Sequence, residues 1–370
     1  MRNNAPVYWD STNELWGISR HEDVATIEKA GDRFISSDQV KGGYRPNIPA
    51  DASMIGLDDP FHHRRRMLVA RRFTPRAVAT KTERVRALVT RLLDSVADRG
   101  RAEIVCDLAA PLPAMMIGAL LGFPNDAWPR LQDWSERTIM LGGGPRYHTD
   151  DGMQAAWEFA QASAELYADK QRCPADDVMS AWVNAEIPGQ PFGLAQVVSD
   201  SLLLLDGGAE TTRTVIARTI LNLIRFSDQY ERLRDGGDFA LAVEEFIRYV
   251  TPVHNMCRVT TEDTELHGVT IPKGHQVVLM YSSANRDPHV FHDPERFDVT
   301  RTPNPHLAFG FGTHFCLGAA LARLELRVFF EEWLRRFRNV RVVPGTEVVE
   351  TPNPFVYGVQ SAHVEFDVVP

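Results

Sequence analysis

The sequence FGFGTHFCLG, residues Phe309–Gly318, decides the fold of this 370-residue chain. Its two inner glycines allow tight backbone turns, and a helical pattern begins directly after the cysteine. The positive end of a helix and its free N–H groups stabilise a thiolate at that position. Because a buried thiolate without a cation is costly, the pattern favours Cys316 as a metal ligand. The alternative, a buried structural cysteine, is our interpretation of the other three: Cys106, Cys173 and Cys257.

The segments around this stretch are mostly helical by periodicity. The patterns predict helices over Val85–Val96, 194–226, Leu241–Val250 and Leu317–Phe337. The few strand signals are Pro6–Tyr8, Leu15–Ile18, Gln276–Met280 and Val364–Val368. Asp287–Pro305 has four prolines and little periodicity, which is typical of a closely packed or functional irregular segment. Since no repeat or linker is recognisable, we expect one mainly α domain over residues 1–370, with a small β region.

Composition excludes several classes of protein. Hydrophobic residues make up 44% and charged residues 24% of the chain, which are ordinary globular values. The formal net charge of −9 argues against nucleic acid or acidic membrane surfaces as partners. We recognise no signal peptide and no apolar run that approaches membrane-spanning length, so we expect a cytoplasmic protein without stable membrane insertion.

Four residues of the opening stretch carry a family resemblance. Phe309, Gly312, Cys316 and Gly318 reproduce the haem-binding signature FxxGxxxCxG, so the chain resembles the cytochrome P-450 family. The resemblance implies a large helical domain with a small β region. It also implies haem b as cofactor, with the Cys316 thiolate as the axial iron ligand and Phe309 and Gly318 in the haem-binding loop.

A second motif is Glu245-Phe246-Ile247-Arg248. Its Glu and Arg share a helix face at i, i+3, and alone they would be a surface ion pair. They match the family's ExxR, and the resemblance adds Arg296, in Pro294–Phe297, as the third member of a buried network. That network would support the haem pocket without taking part in catalysis.

A third motif, Gly207-Gly208-Ala209-Glu210-Thr211-Thr212, lies inside an apolar helical segment. Glycines in a helix interior cost roughly 1 kcal/mol each relative to alanine, so close helix packing is one explanation. The motif also matches the family's [AG]Gx[DE]T[TS]. By resemblance, Gly207 belongs to the cofactor site, small residues there make room for dioxygen, and Glu210 and Thr211 are catalytic groups that deliver protons.

The fourth motif supplies cations for the two haem propionates. His62 and Arg66 are one helical turn apart and match the family's HxxxR, whereas His63 is off this pattern. Arg258 and His314 occupy two further propionate positions of the family. Each residue alone would be an ordinary surface or core residue, and the set of four carries the prediction.

Electrons must come from another protein, because the chain shows no flavin or nicotinamide domain. Arginines cluster in two segments that flank the thiolate side of this fold, Arg64–Arg76 and Arg323–Arg336. A charge run is usually a solvated surface, but a basic patch on an acidic protein predicts docking of a small acidic ferredoxin, which its reductase reduces. We expect a monomer with dioxygen and a lipophilic small molecule as its other partners.

Three further stretches indicate a subgroup of the family: Met54–Pro60, Pro252–Arg258 and His306–Gly312. These stretches are similar to the bacterial subgroup that oxidises the side chain of cholesterol or cholestenone, which implies steroid metabolism, cholesterol catabolism and hydroxylation of a terminal methyl. A terpenoid or polyketide hydroxylase, a peroxide-driven enzyme and a non-catalytic haem protein that binds gas remain alternatives. At the amino end, we expect the family's upstream helical segment to be missing.

Overall fold

The computed structural model describes residues 1–40 and 42–369. The described residues form mainly helices, joined by short 3₁₀ and π turns. The α-helices are α1 (His21–Lys29), α2 (Phe61–Ala70), α3 (Pro75–Ala79), α4 (Thr82–Ala97), α5 (Pro111–Leu121), α6 (Trp128–Thr138), α7 (Asp150–Arg172), α8 (Val178–Trp182), α9 (Leu194–Arg225), α10 (Ser227–Arg234), α11 (Phe239–Val250), α12 (Tyr281–Ala284) and α13 (Ala319–Arg336).

The β structure is small and is divided among several short sheets. Its strands are β1 (Val7–Asp10), β2 (Leu15–Ile18), β3 (Phe34–Ile35), β4 (Arg101–Glu103), β5 (Asn255–Thr260), β6 (Thr264–Leu266), β7 (Val269–Ile271), β8 (Gln276–Met280), β9 (Phe337–Val342), β10 (Val349–Glu350), β11 (Val359–Ser361) and β12 (His363–Val368). The largest sheet has the order β1-β2-β8-β5-β3, in which only the β2–β8 pair is parallel. A second sheet has the order β4-β12-β9.

Helix α9 is the centre of the helical core. It contacts α5, α6, α7, α11 and α13, because its apolar residues point to nearly every side over much of its length. Its first turn is closed by the backbone N–H of Gly193, which donates to the side chain of Gln196 at 3.0 Å. The extensive packing offsets the cost of two interior glycines, Gly207 and Gly208.

The predicted helices and strands are confirmed, with small shifts at their ends. The helix after the cysteine begins at Ala319, and α9 ends at Arg225. Asp287–Pro305 contains no helix or strand. The irregular segment is nevertheless anchored in the core by Phe291 and Phe297, each 1% exposed.

One segment was misjudged from the sequence alone. Ile104–Leu121 is long and apolar enough to cross a membrane by length and composition. However, 78% of it is buried inside the protein, where a π-helical turn over Ile104–Ala109 leads into α5. Its hydrophobicity therefore reflects a central position in the helical core.

Candidate active site

The loop that carries Cys316 is fixed by its own backbone. The N–H of Cys316 donates to the carbonyl of Phe309 at 2.8 Å, and the N–H of Gly310 donates to that of Leu307 at 2.9 Å. Gly312 has a φ of +68°, and a Cβ there would collide with the carbonyl oxygen of Glu28. Only glycine fits this position, which explains the spacing of the motif.

The thiol of Cys316 faces a cavity just before the first turn of α13. Burial raises the pKa of this thiol, while the backbone N–H groups of Gly318 and Ala319 and the guanidinium groups of Arg66 and Arg323 act in the opposite direction. The surroundings thus provide partial stabilisation of a thiolate. Full compensation requires a cation at the sulfur.

The cavity has a volume of about 480 Å³ and lies between α9 and the cysteine loop. Apolar side chains from several elements form most of its walls, and these include Ile117, Leu203, Val253 and Phe355. It brings together nearly all the residues that the sequence singled out. These are His62, Arg66, Gly207, Thr211, Arg258, Phe309, His314, Cys316 and Gly318.

The wall formed by α9 is open at one position. A Cβ on Gly207 would meet no atom within 4 Å, whereas one on Gly208 would press against Ile117 at 3.1 Å. The hydroxyl of Thr211 donates to the carbonyl of Gly207 at 2.7 Å, and Thr211 lines the cavity. The glycine pair therefore serves two purposes, because Gly207 leaves space and Gly208 permits close packing.

Glu210 is placed differently from its neighbour Thr211. Its side chain is 2% exposed and forms an ion pair with Arg213 at 2.8 Å, and it is not among the described residues that line the cavity. Arg213 also lies 3.3 Å from Glu136, whose side chain is 43% exposed. Burial raises the pKa of Glu210 despite the attraction of Arg213. Its catalytic role stays a prediction, and direct contact with a bound molecule is not part of the geometry.

Four basic side chains meet at one edge of the cavity. The rings of His62 and His314 lie with their centroids 4.2 Å apart. Burial, followed by the charge of Arg66, lowers the pKa of His62 to about 4. Burial, followed by the charges of Arg258, His62 and Arg66, lowers the pKa of His314 to about 2. The two arginines therefore supply positive charge here, and the two histidines add ring nitrogens that can form hydrogen bonds.

The haem implied by the resemblance fits this arrangement. A haem presents an apolar ring, a central iron and two carboxylates on one edge. The cavity offers apolar walls, a thiol and a cluster of basic groups, and Arg66 donates to the carbonyl of Phe315 but forms no ion pair with a carboxylate of the described residues. Anionic groups at this edge would satisfy donors that are otherwise left unpaired.

The ion-pair network behind the cavity corrects one prediction. Glu245 and Arg248 are fully buried and pair at 2.7 Å, as expected. The third member is Arg301, whose Nε lies 3.1 Å from Glu245. The side chain of Arg296 is exposed, and this residue contributes only its backbone carbonyl, which accepts from Arg248 at 3.2 Å. The prediction of Arg296 was wrong because the irregular segment turns position 296 outward and position 301 inward.

The basic clusters are less uniform than the sequence indicated. Arg65 is 1% exposed and pairs with Asp200 of α9 at 2.6 Å, so it is a core residue. Arg323 is held by Glu244 at 2.7 Å. Arg71 and Arg76 form no ion pair within residues 1–40 and 42–369. Their segments pack on α13, and the remaining positive charge is therefore concentrated near that helix.

Sequence reasoning missed several polar residues that line the cavity, and these include Arg45, Thr138, Asp206 and Glu325. Glu325 is 2% exposed, and burial raises the pKa of its carboxyl to about 8. Asp206 directly follows the apolar run Leu202–Leu205. An acid in that place was a usable signal, since a charged residue on a buried helix needs a partner.

Comparison with known proteins agrees with this site. The family model "Cytochrome P450" matches residues 240–366. A "Steroid C26-monooxygenase" of Mycobacterium tuberculosis is 40% identical over 99% of this chain and 98% of its own length. A "Methyl-branched lipid omega-hydroxylase" of Mycobacterium bovis is 36% identical over 98% of this chain and 89% of its own length.

A solved structure gives the same result for the fold. The crystal structure of CYP109E1 from Bacillus megaterium in complex with testosterone superposes with a TM-score of 0.89 at 32% identity. The match covers 99% of this chain and 95% of the other. The predicted mainly α architecture with a small β region is thereby confirmed.

Proposed function

Because the chain belongs to the cytochrome P450 family and is a haem b monooxygenase, we propose that it hydroxylates the terminal methyl of a steroid or branched-lipid side chain. The observation that carries this proposal is the largely apolar cavity that joins Cys316 to the α9 wall at Leu203 and Gly207. The relatives named as a steroid C26-monooxygenase and a methyl-branched lipid omega-hydroxylase support the position of attack.

Different residues of the cavity would hold different parts of the cofactor. The haem, when bound, supplies an iron that activates dioxygen and inserts one oxygen atom into an unactivated C–H bond. The Cys316 thiolate would ligate this iron, next to Phe309 and Gly318. The propionates would be held by Arg66, Arg258, His62 and His314. Gly207 leaves the free space that a small diatomic molecule needs.

Proton delivery is proposed to run through the hydroxyl of Thr211. This hydroxyl faces the cavity and donates to the carbonyl of Gly207, so it can hand on a proton while it accepts another. Glu210 supports the route indirectly, since its ion pair with Arg213 continues to the partly exposed Glu136. Because Arg213 keeps its proton, Glu210 is proposed to support the route through its charge and position and not as a link in a proton chain.

Thr211→Ala is expected to leave haem binding and substrate binding nearly unchanged and to lower the product formed per electron consumed several-fold. The reason is that the hydroxyl matters only when protons must be supplied during turnover. Release of hydrogen peroxide should rise correspondingly, as measured by parallel assays of NADH, product and peroxide. Thr219→Val is the matched control, because Thr219 is a buried threonine of the same helix outside the cavity lining. Unchanged coupling in Thr211→Ala would contradict this role.

The preferred substrate is cholesterol or cholest-4-en-3-one, bound with its tail towards Cys316. Burying on the order of 400 Å² of steroid surface contributes roughly 10 kcal/mol at ~25 cal/mol per Å². Association costs about 4–15 kcal/mol of this, so apolar burial alone leaves at most about 6 kcal/mol, a dissociation constant of some tens of micromolar. Selective attack at the methyl needs a narrow end of the cavity, because the neighbouring tertiary C–H bond is weaker.

Titration of the ferric protein with either steroid should shift the haem spectrum, and turnover should give the terminal alcohol. Androst-4-ene-3,17-dione, which lacks the tail, is the control and should bind at least tenfold more weakly. Absence of a shift with both steroids, or oxidation mainly on the rings, would contradict the steroid assignment. A terpenoid or polyketide substrate would then be the better hypothesis. Turnover with peroxide alone would identify a peroxide-driven enzyme.

We further propose that a small acidic ferredoxin, reduced by its own reductase, delivers electrons at the surface near Arg71 and Arg76. Both side chains are free of ion pairs within the described residues. Their segments pack on α13, the helix that follows Cys316. Complementary charge at this surface would speed and orient docking more than it would strengthen it.

A further inference from the structure

Asp206 is the acidic residue of α9 that faces the cavity. It directly follows the apolar run Leu202–Leu205 and directly precedes Gly207. Leu203, Asp206 and Gly207 all line the cavity. A carboxyl group therefore projects into the space that receives the substrate, in a helix whose neighbouring residues are apolar or small.

Among the described residues, the carboxyl group has one close hydrogen-bond partner, Thr138 at the end of α6, and the hydroxyl of Ser135 in the same helix also lies near enough to favour its charged form. Oγ1 of Thr138 lies 2.8 Å from Oδ1 of Asp206 and 2.7 Å from the carbonyl oxygen of Trp134. A hydroxyl has a single proton and can donate to only one of these two acceptors at a time. The pair thus leaves Asp206 with hydrogen-bonding capacity that Thr138 cannot satisfy.

The surroundings of Asp206 disfavour a free charge. Burial raises the pKa of Asp206 well above its usual range, and the nearby Glu210 acts in the same direction, whereas Thr138 and the charge of Arg45 oppose the shift. A neutral carboxyl group can both donate and accept a hydrogen bond. It is therefore suited to bind a neutral group of the ligand that can also donate and accept a hydrogen bond.

The charged groups nearby also select against a cationic ligand. Arg45 lines the same cavity and is bound by Asp51 at 2.8 Å, and Asp51 also accepts from Tyr44 at 2.7 Å. A substrate amine would have to enter beside the Arg45 guanidinium, whereas a hydroxyl would not meet this repulsion. A wholly apolar ligand would displace water from the carboxyl group and offer no hydrogen bond in its place, which is unfavourable.

We propose that Asp206 is a specificity-determining residue that hydrogen-bonds a hydroxyl group on the aliphatic part of the substrate. The preferred substrate would then be an oxygenated steroid side chain or branched lipid rather than the plain hydrocarbon tail. This proposal rests on the proposed function, since it assumes a lipophilic molecule that enters tail-first. A hydroxyl group is thereby added to the features that this cavity requires of its substrate.

The position of Asp206 on α9 also sets the place of the hydroxyl on the substrate. Asp206 and Thr211 are five residues apart on one helix, which corresponds to about 7.5 Å along its axis at 1.5 Å per residue. Thr211 marks the place where protons are needed. That spacing corresponds to roughly five or six carbon–carbon bonds of an extended chain between the hydroxyl bound by Asp206 and the oxidised methyl.

The experiment uses two pairs of ligands that differ by one tertiary hydroxyl, placed five carbon–carbon bonds from the terminal methyl. One pair is cholest-4-en-3-one and 20-hydroxycholest-4-en-3-one. The other is 2,6,10,14-tetramethylpentadecane and 2,6,10,14-tetramethylpentadecan-6-ol. Each is titrated into the ferric holoenzyme, with the haem spectrum and calorimetry as readouts. We expect the hydroxylated member of at least one pair to bind tenfold or more tightly than its partner.

Two variants separate recognition from a purely structural role. Asp206→Leu should reduce the affinity ratio within the pair to about one, by weaker binding of the alcohol and equal or tighter binding of the hydrocarbon tail. Asp206→Asn, which keeps a donor and an acceptor, should retain most of the ratio. If Asp206 served only to tie α9 to Thr138, Asp206→Leu would change the binding of both members equally, and this result would overturn the proposal.

The failure of this proposal can be told apart from failure of the proposed function. Equal binding of both members by the unaltered enzyme, with oxidation at the terminal methyl, would overturn the role of Asp206 and leave the proposed function intact. No spectral or calorimetric response to any of the four ligands would contradict the steroid and branched-lipid assignment, and the role of Asp206 with it.

Discussion

Replacing Cys316 with histidine is expected to abolish the red-shifted Soret band of the reduced carbon monoxide complex and, with it, monooxygenase activity. A thiolate donates far more electron density to haem iron than an imidazole does, and this donation favours O–O cleavage. The backbone around Cys316 is fixed by the turn at Gly312 and by its hydrogen bond to Phe309. The substitution is therefore expected to replace the iron ligand while the backbone of the loop keeps its conformation. The measurement is the difference spectrum of the purified protein.

The other three cysteines provide matched controls, because none of them lines the cavity. Burial raises the pKa of Cys257 strongly, and burial together with Glu103 raises the pKa of Cys106 to about 11. Both thiols are therefore protonated near neutral pH. Cys106 and Cys173 are exposed, so the interpretation as a buried structural cysteine was wrong for these two and holds for Cys257. Alanine at each position should preserve the band. A histidine-type spectrum from the unaltered protein would contradict the assignment of Cys316.

Arg301→Ala is expected to destabilise the protein by about 3–5 kcal/mol, the usual cost of removing one partner from a buried ion pair. Glu245 and Arg248 are completely buried. Arg301 binds Glu245 and donates to the carbonyl of Asp293 at 3.1 Å. Its loss would leave buried charge and several carbonyls unpaired, and it would release the segment that leads to the cysteine loop. The expected result is a lower midpoint of thermal unfolding and poor haem incorporation.

Arg296→Ala is the control for this prediction, because it removes an arginine from the same segment. The side chain at 296 is exposed, so its removal should change the free energy of unfolding by less than about 0.5 kcal/mol. Thermal unfolding and the haem-to-protein absorbance ratio of both variants give the comparison. Equal stability of the two variants would mean that the network does not depend on Arg301.

Much of the fold followed from local patterns. Helical periodicity predicted α4, α9, α11 and α13, since the side chains of a helix repeat their direction every 3.6 residues. Within the FGFGTHFCLG stretch, Gly312 and Cys316 lie in one short turn whose geometry depends on neighbours in sequence. Residues within one such element keep their relation in any tertiary setting. For this reason the spacing within the loop could be interpreted from the sequence, whereas the grouping of His62, Arg66 and Arg258 with it was implied by the family resemblance.

The errors concern residues whose direction or partner comes from distant parts of the chain. Position 296 points outward and position 301 inward because Asp287–Pro305 has no regular repeat that sets side-chain directions. Arg65 stands in a run of three arginines, and only its approach to Asp200 of α9 makes it a core residue. Charge patterns in sequence do not distinguish a surface arginine from one that has a buried partner.

Asp206 and Glu210 show the same division within a single helix. The sequence by itself determined that both are acids on a buried helix beside a glycine pair, and that this helix belongs to the active site. Only the tertiary structure decided that Asp206 faces the cavity beside Thr138, whereas Glu210 pairs with Arg213. The reason is that a helix fixes the angle between two of its side chains, while the packing of α9 against α6 and the cysteine loop fixes which side faces the substrate.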